Sequence, residues 1–412
     1  MWRVLFVIYS CLAFCADIGS FVVMDARTGR VLSERNAHQK MYPASTTKIA
    51  TLAYVLSTPD LDLQQRIVVP KEAVRILSDV EKSRDHFTHY PSYVLEARSS
   101  LAGLKAGEII TLEEAIYGSM LASGNDASNT LAYYWGNRSI EQCVERLNGF
   151  VASLGCLNTL FQNPHGLHHP EHISTAYDLA LLTRYAMQNP LFRKVVSTPT
   201  FTKSRTNKQK EMVWNQTNRL LASGPYYYEY ATGVKTGYHA RAGNCLVAAA
   251  ENQDRSLIAV LLNVPERKDL FIAAKSMLHK FLSEQKVERA IVQEGPLHLK
   301  KALEGHSVPL SLAATKGMNI AYFPSEEPKV KACVEWNSPR FPIRKGQEIG
   351  CVHLLVDDEE IDKVPLVSQE ERSATWYQRF LEAQNVLRDH RGKVFLIALA
   401  AIVFFFWYRR RF

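Results

Sequence analysis

The chain has 412 residues, 47% of them hydrophobic and 22% charged, which allows two or three globular domains and excludes a low-complexity or collagen-like protein. The formal charge of +8 would suit a nucleic-acid-binding protein if it were spread along the chain. Most of the excess lies instead at residues 1–16 and 388–412, and the body between them is close to neutral. We therefore expect no nucleic-acid partner.

The N-terminus has the pattern of a secretory signal. Arg3 is followed by an apolar run from Val4 to Phe14 and then by the small residues Cys15 and Ala16. One positive charge before about eleven apolar residues is typical of export signals. The sequence predicts a signal peptide over residues 1–16, with the body of the protein outside the cytoplasm.

Strands and helices are both predicted over residues 17–285. Arg27-Thr28-Gly29 is a turn signal between two short strands, Phe21–Asp25 and Arg30–Leu32. The remaining predicted elements are helices at about 45–57, 111–135, 139–154, 174–188 and 269–281, and strands at 232–236, 244–250 and 257–262. Because two groups of strands flank a run of helices, we predict one α/β (α+β) sandwich domain over residues 17–285.

The pattern changes after residue 285. Short alternating runs such as Val330–Trp336 and Gly350–Val356 are separated by prolines and contain no long helical periodicity. This pattern is typical of a small antiparallel β structure. We predict an all-β domain over residues 286–370.

An amphipathic linker helix and a membrane anchor are predicted at the C-terminus. Residues 371–392 place Trp376, Phe380, Ala383 and Leu387 on one helical face. In residues 393–412, fifteen apolar residues from Val394 to Tyr408 precede three arginines, which mark the cytoplasmic side of a membrane helix. We therefore expect the body to lie at the periplasmic, outer face of the cytoplasmic membrane.

The cysteines do not have the pattern of a disulfide framework. Outside the predicted signal there are five, at Cys143, Cys156, Cys245, Cys333 and Cys351. An odd number without regular spacing predicts neither a disulfide scaffold nor a zinc site. Cys333 and Cys351 are open to two interpretations, a cross-strand disulfide or free thiols.

The first of three chemical motifs is Ser45-Thr46-Thr47-Lys48, at the start of a predicted helix. Residues three apart share a helical face, so the Lys48 amine can approach the Ser45 hydroxyl. A serine is a poor nucleophile until a base takes its proton, and a lysine with a lowered pKa can be that base. The same spacing occurs at Ser283 and Lys286, where it is better interpreted as a solvated helix end.

The other two motifs occur once each. Ser123-Gly124-Asn125 follows a predicted apolar helix and offers a second hydroxyl for proton transfer and an amide for positioning. Lys235-Thr236-Gly237 ends a predicted strand, where Gly237 lets an extended substrate lie along the backbone and the two side chains can bind a carboxylate. Together, in this order, the three motifs favour an active site.

This set of motifs resembles that of the active-site serine penicillin-recognising enzymes. Neighbouring segments narrow the resemblance to the low-molecular-weight penicillin-binding proteins, which are serine-type D-alanyl-D-alanine carboxypeptidases. These segments are Asn36 with Pro43–Lys48, Ser123–Ser128, His165–Leu167 with Ser174–Ala176, and Asn218–Leu221. The likeness covers about residues 20–285, and residues 286–370 resemble the family's C-terminal β domain, notably at Pro342–Gly350.

The resemblance implies a β-lactamase/transpeptidase-like fold with helices on both sides of an antiparallel sheet, followed by a β domain and a membrane helix. It implies Ser45 as the acylated nucleophile and Lys48 as its base. Ser123 and Asn125 are implied to transfer protons and position substrate. Lys235 and Thr236 are implied to bind its carboxylate end, beside Gly237 in the substrate-binding strand, and the backbone N–H groups of Ser45 and Tyr238 are implied to form the oxyanion hole.

The implied substrate is a peptidoglycan stem peptide ending in D-Ala-D-Ala, with β-lactams as inhibitors and no cofactor or metal. One segment, residues 79–100 including His86–Tyr93, does not match the family's usual pattern beside the cleft, and two single positions also depart from it. Thr217 stands where an arginine often precedes Asn218, and the arginine that follows the next strand has its nearest counterpart in Arg267 or Lys268.

Three alternative functions remain open from the residues alone. A class A β-lactamase would need a deacylating glutamate, and Glu145-Arg146-Leu147-Asn148 is one residue short of its signature. A metal-dependent peptidase would use the histidines at 165, 168, 169 and 172, although no His-Glu-x-x-His helix accompanies them. A non-catalytic receptor for peptidoglycan stems would carry the same motifs without turnover.

Overall fold

The computed structural model describes residues 18–78, 80–81, 90–376 and 378–380. The chain divides into two compact units, with the division between Glu284 and Gln285. Each unit is described by itself.

The first unit contains eleven described strands: β1 (Ser20–Asp25), β2 (Val31–Arg35), β3 (Arg66–Val68), β4 (Ile76–Leu77), β5 (Leu95–Glu96), β6 (Ile109–Thr111), β7 (Thr200–Lys203), β8 (Met212–Asn215), β9 (Ala231–His239), β10 (Gly243–Glu251) and β11 (Ser256–Val264). Five of them form an antiparallel sheet in the order β2-β1-β11-β10-β9. Short two-stranded pairings of β3 with β6, β4 with β5 and β7 with β8 lie outside it. Strand β9 is an edge of the main sheet, so one side of its backbone is free to meet a ligand.

The helices of this unit begin where the sequence supplies caps. Thr111 and Glu114 form a reciprocal capping box, and Ser139, Thr175 and Asn189 each accept a hydrogen bond from a backbone N–H of the following turn. The helices are α1 (Lys48–Leu56), α2 (Leu112–Met120), α3 (Asn125–Trp135), α4 (Ile140–Ser153), α5 (Ala176–Ala186), α6 (Pro190–Ser197) and α7 (Arg267–Leu282), with 3₁₀ turns at Ala44–Thr47 and Glu72–Val74.

The sheet is buried on both faces, which explains why its central strands are continuously apolar. Along β11, Ile258, Val260 and Leu262 join a large core with helices α1 to α6. The alternate residues Leu257, Ala259 and Leu261 join a second core with α7. Side chains alternate across a strand, so one apolar run serves two helical layers. The predicted sandwich with helices on both sides of an antiparallel sheet is confirmed in this unit.

One predicted helix is wrong in extent. The pattern over 111–135 predicts a single helix, whereas the chain forms α2, a break at residues 121–124, and then α3. Ser123 has a positive φ of 56°, which no α-helix accommodates. Helix α6 and the hairpin of β7 and β8 have no counterpart in the sequence prediction.

The second unit is mainly β, with one 3₁₀ turn at Pro324–Glu326 and helical residues at 376 and 378–380 among the described residues. Its strands are β12 (Val287–Val292), β13 (Gly295–Lys301), β14 (Leu310–Ala314), β15 (Met318–Tyr322), β16 (Val330–Trp336), β17 (Glu348–Val356) and β18 (Glu359–Ser368). They form a β12-β15 pair and a five-stranded antiparallel sheet in the order β13-β14-β18-β17-β16. Alternate residues of the sheet, such as Val352, Leu354, Val364 and Leu366, fill the core. The predicted small β domain is confirmed.

The predicted signal peptide (residues 1–16) and membrane anchor (residues 393–412) lie outside the described residues. Of the predicted linker helix, Trp376 and Phe380 are described and are 80% and 53% exposed. Among the residues that the structure describes, no helix has the length and apolarity to cross a membrane.

The two cysteines of the β domain do not form a disulfide. Cys333 lies opposite His353, and Cys351 lies opposite Glu335, so the thiols are offset by two positions along the ladder. Both are free, as are Cys143, Cys156 and Cys245 in the first unit. Of the two interpretations that the sequence left open, the structure has free thiols.

Candidate active site

Ser45 lies in the tight turn that leads into α1. The preceding residue, Ala44, has a positive φ of 48°, and two glycines let other segments approach this turn. A Cβ on Gly166 would lie 1.8 Å from the Ala44 carbonyl oxygen, and a Cβ on Gly237 would lie 2.8 Å from the Ser45 nitrogen. Both positions therefore need glycine because the backbone of this turn is in contact with them.

Lys48 is fully buried directly behind Ser45. Its ammonium nitrogen donates to three oxygens: Ser45 Oγ at 3.0 Å, Asn125 Oδ1 at 2.7 Å and the His165 carbonyl at 2.7 Å. Burial, and then the charge of Lys235, hold the pKa of Lys48 well below its usual range, against an opposing effect of Asp126. A lysine with a lowered pKa, beside a hydroxyl, is suited to take that hydroxyl's proton.

Ser123 lies in the break between α2 and α3, and its side chain is almost completely buried. The break is held by Asp126, whose carboxylate accepts from the backbone N–H groups of Ala102 and Leu104 at 2.7 and 2.9 Å. Burial raises the pKa of Asp126, and these hydrogen bonds oppose the shift. Asp126 thus fixes Ser123 and Asn125 at the N-terminus of α3, facing the Ser45 turn.

Lys235 reaches the same place from the edge strand β9. Its ammonium nitrogen donates to Ser123 Oγ and to the Thr236 carbonyl, both at 2.9 Å. Burial, followed by the charge of Arg267, lowers the pKa of Lys235 to about 7. The neighbouring Thr236 hydroxyl is paired with the Thr217 hydroxyl at 2.7 Å.

These groups line one cleft of about 350 Å³. It is lined by Ser45, Glu96, Arg98, Ser99, Ser100, Ser123, Asn125, Gly166, Leu167, Thr217, Thr236, Gly237, Tyr238, His239, Asn244, Arg267 and Leu270. Tyr238 is 67% exposed at its mouth. Every predicted site residue is therefore at the cleft wall or, for the two lysines, in contact with a wall residue.

Several contacts in the site cannot be predicted from the sequence. The His165 carbonyl, Asp126 and Thr217 act through tertiary contacts between segments that no local pattern relates. Arg267 lines the cleft, which distinguishes it from Lys268 as the cation nearest to the lysine motif. In the sequence, only the position of Arg267 at the start of α7, just after β11, indicates that it belongs to the cleft.

The four clustered histidines do not converge on one point. His165 donates from Nε2 to the Tyr93 carbonyl and accepts at Nδ1 from the Leu167 N–H. His172 accepts from the Gln162 N–H, so its other nitrogen faces the Thr47 hydroxyl, which donates to the Ala44 carbonyl. Burial lowers the pKa of His165 to about 3 and holds that of His172 well below its usual range, so both are neutral and support the Ser45 turn.

Comparison with known proteins identifies the family of this chain. The family model described as D-alanyl-D-alanine carboxypeptidase matches residues 15–266, which is more than half of the chain. The chain belongs to the D-alanyl-D-alanine carboxypeptidase family. Residues 291–374 match a second model, described as the C-terminal domain of penicillin-binding protein 5.

Individual members of the family are similar along most of their length. D-alanyl-D-alanine carboxypeptidase DacF of Bacillus subtilis is 28% identical over 88% of this chain and 88% of its own. The solved structure of penicillin-binding protein 6B of Escherichia coli has a TM-score of 0.59 and 26% sequence identity, and the match covers 85% of this chain and 95% of that one. The solved structure of the Streptomyces K15 DD-transpeptidase has a TM-score of 0.55 and 28% sequence identity, and the match covers 64% of this chain and 96% of that one.

Family membership makes this chain a serine-type carboxypeptidase of the low-molecular-weight penicillin-binding class. It does not favour a class A β-lactamase, a metal-dependent peptidase or a non-catalytic receptor.

Proposed function

We propose that Ser45 attacks the carbonyl of the penultimate D-alanine of a peptidoglycan stem, with Lys48 as the base that takes its proton. The observation that carries this assignment is the 3.0 Å contact between Lys48 Nζ and Ser45 Oγ at the wall of the cleft. The lowered pKa of Lys48 makes its neutral form available for this role. Attack forms a Ser45 ester and breaks the bond to the terminal D-alanine.

The leaving amine needs a proton, which we assign to Ser123. Its hydroxyl contacts Lys235 and lies with Asn125 in the wall of the cleft that holds Ser45. The proton passes from the Ser123 hydroxyl to the amine, and the proton that Lys48 took from Ser45 replaces it, so that Lys235 stays charged beside the substrate carboxylate. Water then hydrolyses the ester and regenerates Ser45.

The terminal carboxylate of the substrate fits the cationic end of the cleft. Lys235, Thr236 and Arg267 supply charge and a hydroxyl there, and a bound carboxylate favours the charged form of Lys235. The peptide backbone lies along the open edge of β9, where Gly237 leaves it room. The N–H groups of Ser45 and Tyr238 are assigned to the developing oxyanion.

Comparing Ser45→Ala with Ser283→Ala tests the assignment. Ser283 has a lysine at the same spacing, lies exposed after α7 and has no partner motif. Release of D-alanine from a D-Ala-D-Ala pentapeptide is expected to be lost in Ser45→Ala and unchanged in Ser283→Ala. Comparable turnover by a folded Ser45→Ala protein would show that another group is the nucleophile.

β-Lactams are proposed to acylate the same serine because they present a strained amide and a carboxylate in the arrangement that the stem peptide offers. The location proposed for this reaction is the outer face of the cytoplasmic membrane, with residues 393–412 as the anchor. The hydropathy of Val394–Tyr408 and the following arginines support it. A cysteine added after Phe412 should resist an impermeant thiol reagent applied from outside, and labelling of that added cysteine, distinguished from exposed Cys333 by peptide mapping, would exclude a spanning anchor.

A further inference from the structure

Three electron-pair donors converge on the surface of the β domain, in a group unrelated to the cleft. Glu335 on β16 and Cys351 and His353 on β17 place one ligand atom each within 4.8 Å of the others. His353 Nε2 lies 2.9 Å from Cys351 Sγ and 3.1 Å from Glu335 Oε2. We call these three residues the β-domain cluster.

A fourth side chain fixes the ring of His353. Its Nδ1 lies 3.1 Å from Glu360 Oε2 on β18, which accepts the Nδ1 proton. In the neutral ring Nε2 then carries a lone pair, which can accept the Cys351 thiol proton at 2.9 Å and lies 3.1 Å from a Glu335 oxygen that has no proton to donate. A carboxylate behind a histidine in this way is the usual arrangement around metal-bound imidazole.

We propose that the β-domain cluster binds a divalent zinc ion through Cys351 Sγ, His353 Nε2 and a Glu335 carboxylate oxygen, with solvent completing the coordination. Thiolate, imidazole and carboxylate together match the ligand set of zinc better than that of calcium or magnesium, which prefer oxygen alone. Tetrahedral zinc with bonds of about 2.0–2.3 Å holds its ligand atoms roughly 3.5 Å apart. The two contacts of His353 therefore open by about half an ångström to admit the ion.

The position of the cluster suits an ion that links strands. Glu335 and Cys351 are direct partners across the β16–β17 ladder, and His353 is two residues along on the same face. The negative charges of Glu335 and Glu360 favour a cation there, with Lys363 as the nearby opposing charge. No zinc signature is visible in the sequence, because ligands from two strands have no fixed spacing along the chain.

The test uses full-length protein purified in detergent, stripped with a chelator and titrated with zinc chloride against a chromogenic chelator. One equivalent is expected to bind, and Cys351→Ser and His353→Asn should each weaken binding by more than tenfold. Glu360→Gln should weaken it less, by about tenfold, because it removes only the group behind His353. Cobalt(II) loading should give a thiolate-to-cobalt absorption band that Cys351→Ser abolishes.

Matched controls are Cys333→Ser, an exposed thiol on the neighbouring strand, and His298→Asn, an exposed histidine of the same domain. Both should bind zinc like the parent protein. Fluorescent-penicillin labelling and thermal unfolding, followed in every variant, show that the protein is folded. Failure of the folded parent to bind one equivalent, or unchanged binding after His353→Asn, would overturn the proposal, and loss of binding in Cys333→Ser would contradict the ligand set.

Discussion

The cleft contains two serine–lysine pairs that are nearly equal in geometry and differ in their surroundings. Lys48 lies 3.0 Å from Ser45, Lys235 lies 2.9 Å from Ser123, and both lysines are completely buried. Lys48 also donates to an amide oxygen and a carbonyl, near the carboxylate of Asp126. Lys235 donates to one further carbonyl and has Arg267 as its charged neighbour.

The difference teaches that the serine–lysine contact alone does not set the role of either pair. Ser45 is held in a strained turn, backed by Gly166 and Gly237, with its hydroxyl at the cleft wall. Ser123 is almost completely buried, and its partner Lys235 has Arg267 as a charged neighbour. We assign nucleophilic attack to the first pair, and proton transfer with carboxylate binding to the second.

The same substitution in both pairs is the sharpest way to break the comparison. Lys48→Arg should slow acylation by penicillin by about 10²- to 10⁴-fold, because a guanidinium stays protonated and cannot act as a base. Lys235→Arg keeps the positive charge that binds a carboxylate and should slow it by about tenfold. Stopped-flow labelling with a fluorescent penicillin measures both rates, with circular dichroism as the control for folding. Equal losses in the two variants would contradict the separate roles.

Removing the second hydroxyl should have an intermediate effect. Ser123→Ala leaves Ser45 and Lys48 in place, so a covalent adduct should still form, about 10²-fold more slowly, because proton transfer to the leaving nitrogen is impaired. Intact-protein mass spectrometry over time gives the rate and the extent of the adduct. A Ser123→Ala enzyme that acylates at the parent rate would remove Ser123 from the proton path.

The support of the Ser45 turn can be tested through two glycines. Gly166 has a φ of 92° and faces the Ala44 carbonyl, while Gly155 has a φ of 87° with no atom near its missing Cβ. Gly155→Ala should cost about 1 kcal/mol from backbone strain alone, and Gly166→Ala roughly 2 kcal/mol or more beyond that. Urea unfolding measures both, and equal costs would show that the contact with Ala44 does not matter.

The pKa of Lys235 predicts the smallest effect, a fall of kcat/KM on the alkaline side. Because this pKa is lowered to about 7, the free enzyme loses the lysine charge as pH rises through that value and binds a substrate carboxylate less well. In Lys235→Arg the fall should disappear from this range, since arginine stays charged. A pH profile with a D-Ala-D-Ala peptide makes the comparison, and an unchanged alkaline fall in Lys235→Arg would assign it to another group.

The sequence predicts local relations in this site and misses the tertiary ones. The proximity of Ser45 and Lys48 follows from helical spacing, and the sheet follows from apolar runs such as Leu257–Leu262. The contact of Ser123 with Lys235 joins residues 112 apart, and the resemblance to a family implies only that the two residues belong to one site. The break before α3 was missed because apolar periodicity continues on both sides of it, whereas the reason for it, Asp126 bound to Ala102 and Leu104, lies in another segment.

Peptide mapping after acylation tests the central claim most directly. The parent protein is treated with penicillin, digested, and searched by tandem mass spectrometry for the modified residue. We expect the penicilloyl mass on the peptide that contains Ser45, with Ser123 and Ser283 unmodified. A stoichiometric adduct on any other residue, or none on a folded protein, would contradict the assignment of Ser45 as the nucleophile.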